Sequence, residues 1–157
     1  MVPAPISEAG STAERPAAAS AAGSVPWSHR RFFDALGALG RLRVVSRSGP
    51  STFEALCRFG PYGFGHGHMN ALTDAYHWHL ALDGFGHVRS CDTVHERSGR
   101  RVLFFELRER AEAAPFLFIY LHREKGEEFD AQRERQFAAI HAELSGGRAL
   151  EPQAVSR

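Results

Sequence analysis

Histidine carries most of the chemistry this sequence offers. Four of its nine histidines fall within residues 64–80, FGHGHMNALTDAYHWHL. They form two H-x-H pairs, His66/His68 and His77/His79. In an extended strand alternate side chains share a face, so each pair presents two imidazoles on one side. Asn70, Thr73 and Asp74 between the pairs favour a turn. Two short strands joined there would gather four imidazoles into one patch, with Tyr76 and Trp78 on the opposite face. Imidazole is the commonest metal ligand, so the patch reads as a set of iron or zinc ligands.

The rest of the chain must position that patch. Its 157 residues are enough for one domain with a real core. Nineteen basic against 18 acidic side chains give a net charge of +1, with no general pull toward nucleic acid. No run approaches the roughly 20 apolar residues of a spanning helix, so no membrane insertion is expected. The N-terminus has no basic-then-apolar leader pattern, and the expected location is cytoplasmic. Cys57 and Cys91 suggest no disulfide framework. Twelve phenylalanines suit a β-rich core or a pocket for a flat apolar ligand.

Residues 1–25 are rich in Ala, Ser, Gly and Pro and read as a disordered tail. A single domain is expected over 26–146, and a flexible tail over 147–157. Apolar residues at helical spacing predict a helix over 25–39 with Ser28 as N-cap. From Arg41 the period changes to two, which predicts a hairpin turning at Gly49-Pro50. Phe53, Ala55, Cys57 and Phe59 would share its inner face, with Cys57 a small core residue. Further strands are expected over 85–95, 102–107 and 116–121, the last buried on both faces. An amphipathic helix is expected over 129–144. The fold class is therefore α+β: a large twisted antiparallel sheet of about seven strands, flanked by an N-terminal and a C-terminal helix. His87 and His95 read as ordinary strand residues, and His29, His122 and His141 as peripheral. Asp83 and Asp92 are candidates to orient imidazoles.

Four stretches resemble a known family. RRFFDALGALGRLRVVSRSGPSTFEAL is similar to its helix and strand pair, GFGHGHMN to its glycine-rich turn, and SGRRVLFFEL to its S-x-x-x-[VI]-x-F-F strand. FLFIYLHREKGEEFDAQRERQFAAI is similar to its closing strand and helix. Together they cover roughly residues 30–143. The family is the cytosolic haem-utilisation carriers of the HutX/ChuX type, single-repeat relatives of the HemS-type proteins. Its L-G-R signature is Leu121-His122-Arg123 here, without the glycine. The resemblance implies haem as ligand and a homodimer. It also implies a haem-degrading or haem-transport protein as recipient, and a carrier role rather than an enzymatic one. It makes His68 and His79, then His66 and His77, the candidate iron ligands. Phe64, Tyr76, Trp78 and Phe85 become pocket walls, and Arg97, Arg100 and Arg101 propionate anchors. Two other readings stand beside it. One is a small non-haem metalloprotein holding zinc or iron in the two H-x-H pairs, with Asp83 four residues after His79 as an acidic ligand. The other is a relative that keeps the fold without the ligand.

Overall fold

The computed structural model describes residues 24–153; most of the expected N-terminal tail, and residues 154–157, lie outside them. The first helix, α1, spans His29–Ala38. Ser28 Oγ accepts from Arg31 N at 3.2 Å and fixes its start. Its inner stripe, Phe32, Phe33 and Leu36, is fully buried.

A six-stranded antiparallel sheet follows the order β2-β1-β8-β7-β6-β9. Its strands are β1 (Arg41–Ser48), β2 (Ser51–Arg58), β6 (His87–Val94), β7 (Arg101–Arg108), β8 (Leu117–Leu121) and β9 (Arg148–Ala149). A second, three-stranded sheet contains β3 (Gly63–Gly65), β4 (His68–Leu72) and β5 (His77–Ala81). The expected single sheet of about seven strands is thus two sheets. The glycine-rich entry 60–67 turns the chain out of the large sheet, and it returns only after the 3₁₀ turn Leu82–Gly84. Helix α2 (Ala131–Leu144) begins after Asp130, whose Oδ1 accepts from Arg133 N at 2.9 Å. Phe129 therefore precedes the helix.

Strand register sorts the large sheet into two faces. Leu42, Leu103, Phe105, Leu107, Leu117, Ile119 and Leu121 share one face and are buried. Both helices and the small sheet pack there to form the core. Phe104, Phe118 and Tyr120 point to the other face and are only half-buried. So β8 is central, as expected, but covered on one side only. Strand β2 is an edge of the large sheet. Phe53 is therefore 67% exposed rather than core, and Cys57 is half-buried.

Residues 148–153, expected to fray, are docked. β9 pairs with His87 and Val88, and Leu150 is buried. Gly147 makes this possible. Its φ is 79°, and a Cβ there would lie 2.5 Å from His87 Cε1. Replacing Gly147 by Ala adds a left-handed alanine, about 1–2 kcal/mol, and about 1–3 kcal/mol of overpacking. The expected loss of about 2–5 kcal/mol is read from the urea midpoint at unchanged m-value.

Candidate functional site

The histidine patch assembles only in part. β4 and β5 pair with Asn70 opposite His79, Leu72 opposite His77 and Ala81 opposite His68. His68, His77 and His79 therefore share one face of the small sheet. His66 does not join them by strand alternation. It sits in the turn before β4, in a left-handed conformation with φ 52°. His68 Nδ1 bonds the His66 carbonyl oxygen at 2.7 Å. The Asn70 amide nitrogen donates to the Gly65 and His68 carbonyls, each at 3.3 Å. This leaves its Oδ1 to accept from His79 Nδ1 at 2.6 Å. Both rings thus engage Nδ1 internally and turn Nε2 outward.

The aromatic residues taken as pocket walls lie on the other side. Phe64 and Trp78 pack with Phe33 of α1, and Phe85 is fully buried against Phe32 and Phe33. Tyr76 Oη donates to the Arg58 carbonyl at 2.9 Å and accepts from Gly60 N at 3.2 Å. Tyr62 Oη donates to Asp34 Oδ1 at 2.6 Å. Burial, then Asp34, raises the Tyr62 pKa well above its ordinary value. Ligand candidates and wall candidates occupy opposite faces, because Tyr76, Trp78 and Leu80 alternate with the histidines. Phe85 apart, they cannot line one pocket. Among the described residues no three His, Cys, Asp or Glu side chains are grouped to hold a metal ion. The non-haem metal reading therefore lacks its ligand set, including Asp83.

The anchor candidates are elsewhere again. Arg97 and Arg100 lie in the turn between β6 and β7. One strand length, about 25 Å at the usual rise, separates that turn from Gly86 beside the histidine turn. Arg101 is already paired, with Asp92 at 2.6 Å and with Glu134. The Asp92 carboxyl is held below its ordinary range by Arg101, so it orients a guanidinium rather than an imidazole. Neither the Arg97 nor the Arg100 guanidinium has a partner among the described residues.

What surrounds those two cations was not visible in the sequence. Two adjoining hollows of about 270 and 430 Å³ lie on the open face and share His95, Val102 and Tyr120. Phe104 and Tyr120 stack in parallel there, with centroids 4.9 Å apart and planes at 28°. Partial burial raises the Tyr120 pKa, which keeps the phenol neutral. Arg123 closes one end, packed 4.2 Å over Phe129 and bonded to the Arg101 carbonyl at 2.8 Å. Ser98 Oγ lies 3.2 Å from His95 Nδ1. The groove combines a flat aromatic floor, free guanidinium groups and an imidazole on strand β6's face. The signal for it was alternation: Phe104, Phe118 and Tyr120 fall at every second position of adjacent strands.

A third hollow, about 640 Å³, lies between His66, His68 and Leu82 on one side and Leu150 and Pro152 on the other. Its floor includes Phe85 and His29. Among the described residues it has no Lys or Arg in its lining, and Asp83 is the one acidic side chain there.

No protein-family model matches the sequence, and no curated protein matches it. Solved structures do. A protein from Agrobacterium tumefaciens has a TM-score of 0.64 at 16% identity, over 73% of this chain and 66% of its own. The haem-binding protein ChuX has 0.63 at 15% identity, over 74% of this chain and 72% of its own. Holo-PhuS, a haem-binding protein from Pseudomonas aeruginosa, has 0.52 at 17% identity, over 81% of this chain and 36% of its own. The fold is that of ChuX, in the α+β class.

Proposed function

We propose that this chain, which shares the fold of two haem-binding proteins, itself binds haem. We place the ligand on the open face of the large sheet. The supporting observation is the company that Arg97 and Arg100 keep. A haem needs an apolar surface for its ring, cations for two propionates and an axial donor for iron. Phe104 and Tyr120 supply the first, Arg97 and Arg100 the second, and His95 the third. Among the described residues, the groove beside His68 has the imidazoles but no cation to neutralise a propionate. Bound haem brings its own redox and ligand chemistry; this chain's residues hold, orient and neutralise it. A groove open to solvent suits a carrier, because the ligand can leave without the core opening.

Haemin titration followed at the Soret band tests the placement. His95→Ala is expected to shift the band and weaken binding roughly 10- to 100-fold. The double variant His68→Ala/His79→Ala is expected to keep both band and affinity. The reverse pattern would move the iron to the small sheet. The family resemblance also implies a homodimer. Sedimentation at micromolar concentration should then exceed the 17.4 kDa monomer mass, and a pure monomer would count against pairing.

A further inference from the structure

Two histidines that the haem reading does not use lie beneath one short segment. Residues 147–153 leave α2, pair with β6 through β9 and cross back to α1. At one end Gly147 rests on the His87 ring. His87 Nδ1 is buried and has no hydrogen-bond partner among the described residues. At the other end Gln153 N donates to His29 Nδ1 at 3.3 Å. His29 Nε2 donates to the Phe85 carbonyl at 2.5 Å, and the residue is 3% exposed. Between them Leu150 N donates to Gly86 O at 2.9 Å and Glu151 N to Trp27 O at 2.8 Å. The segment also forms one wall of the 640 Å³ groove.

A neutral imidazole has one donor and one acceptor, and His29 uses both. A proton on His87 places a cation where the buried nitrogen has no acceptor. Burial, then Arg108, lowers the His87 pKa; Arg89 acts the same way and Glu112 opposes them. Arg148 on the segment itself is a further cation nearby. Around His29, Arg31 and Glu143 pair with each other at 2.8 Å, Asp83 lies across the groove and Glu151 on the segment. The docked state thus favours the neutral His87. Its contribution is complete above the ordinary histidine value of about 6.5 and declines as pH falls below it.

We infer that residues 147–153 form an acid-released strap, docked over His29 and His87 at neutral pH and freed when His87 takes up a proton, which opens the wall of the groove. This inference is independent of the haem reading.

Amide hydrogen exchange of the full chain at pH 7.5 and 5.0, corrected for intrinsic rates, tests it. Protection at Leu150, Glu151 and Gln153 is expected to fall about tenfold more than at Phe105 and Ile119. In the double variant His29→Gln/His87→Gln that excess should vanish. Parallel loss at the strap and the core would overturn the inference. So would an excess that persists in the double variant. If that variant does not fold, the wild-type comparison with the core amides decides alone.

Discussion

Phe33→Ala is expected to lower the unfolding free energy by about 3–5 kcal/mol. Phe33 is fully buried and is where the two sheets and α1 meet. Its ring contacts Phe32, Phe59, Tyr62, Phe64, Trp78 and Phe85, with centroids 5.4 to 6.3 Å apart. These partners come from α1, the end of β2, β3, β5 and the turn before β6. Removing the ring leaves a cavity bounded by five elements that cannot all close in together, so relaxation recovers little. Such a loss is a large part of the 5–15 kcal/mol typical of a domain. The control is Phe53→Ala, at a residue 67% exposed, which should stay within about 0.5 kcal/mol of wild type. Urea unfolding at pH 7 measures both. Equal losses at the two positions would mean that Phe33 is not the joint described here.

A large effect on ligand is also expected from Arg97→Ala/Arg100→Ala. Two guanidinium groups with no partner among the described residues have no such contact to give up when a propionate arrives. A hydrogen bond to a charged group contributes about 1.5–3 kcal/mol when shielded and less when exposed. Because Arg97 is exposed, a combined loss of about 2 kcal/mol, roughly 30-fold in haemin affinity, is the working figure. Affinity should fall with added salt in wild type and more weakly in the double variant. Arg101→Ala separates binding from structure. Its charge is held by Asp92 and Glu134, so its loss should lower stability while leaving the salt dependence intact. An Arg97/Arg100 variant with wild-type affinity and salt slope would remove the propionate assignment.

Much of the secondary structure could be read from residue periodicity. The α1 stripe, the Gly49-Pro50 hairpin and the alternating strands β6 to β8 all follow local patterns of three to four or two residues. Which face each strand buries could not. Phe53 and Phe105 are both phenylalanines in alternating strands, yet one is exposed at the sheet edge and the other is core. Only the strand order 2-1-8-7-6-9 distinguishes them, and that order comes from long-range pairing. The histidines teach the same lesson. Their spacing placed His77 and His79 on one face correctly. It missed that His66 and Gly67, both at positive φ, would form the turn between β3 and β4 and take His66 out of the strand. The site proposed for haem was split in the sequence: Arg97 and Arg100 stood out as a basic turn, whereas Tyr120 and Phe104 looked like core.

The two tyrosine hydroxyls that tie the small sheet down have a consequence for cooperativity. Tyr76 holds β5 to the end of β2, and Tyr62 holds the turn before β3 to α1. A three-stranded sheet fastened at both margins and joined to the core through Phe33 has no independent melting unit. Its histidine face should therefore disappear in the same calorimetric transition as the large sheet, with van't Hoff and calorimetric enthalpies equal.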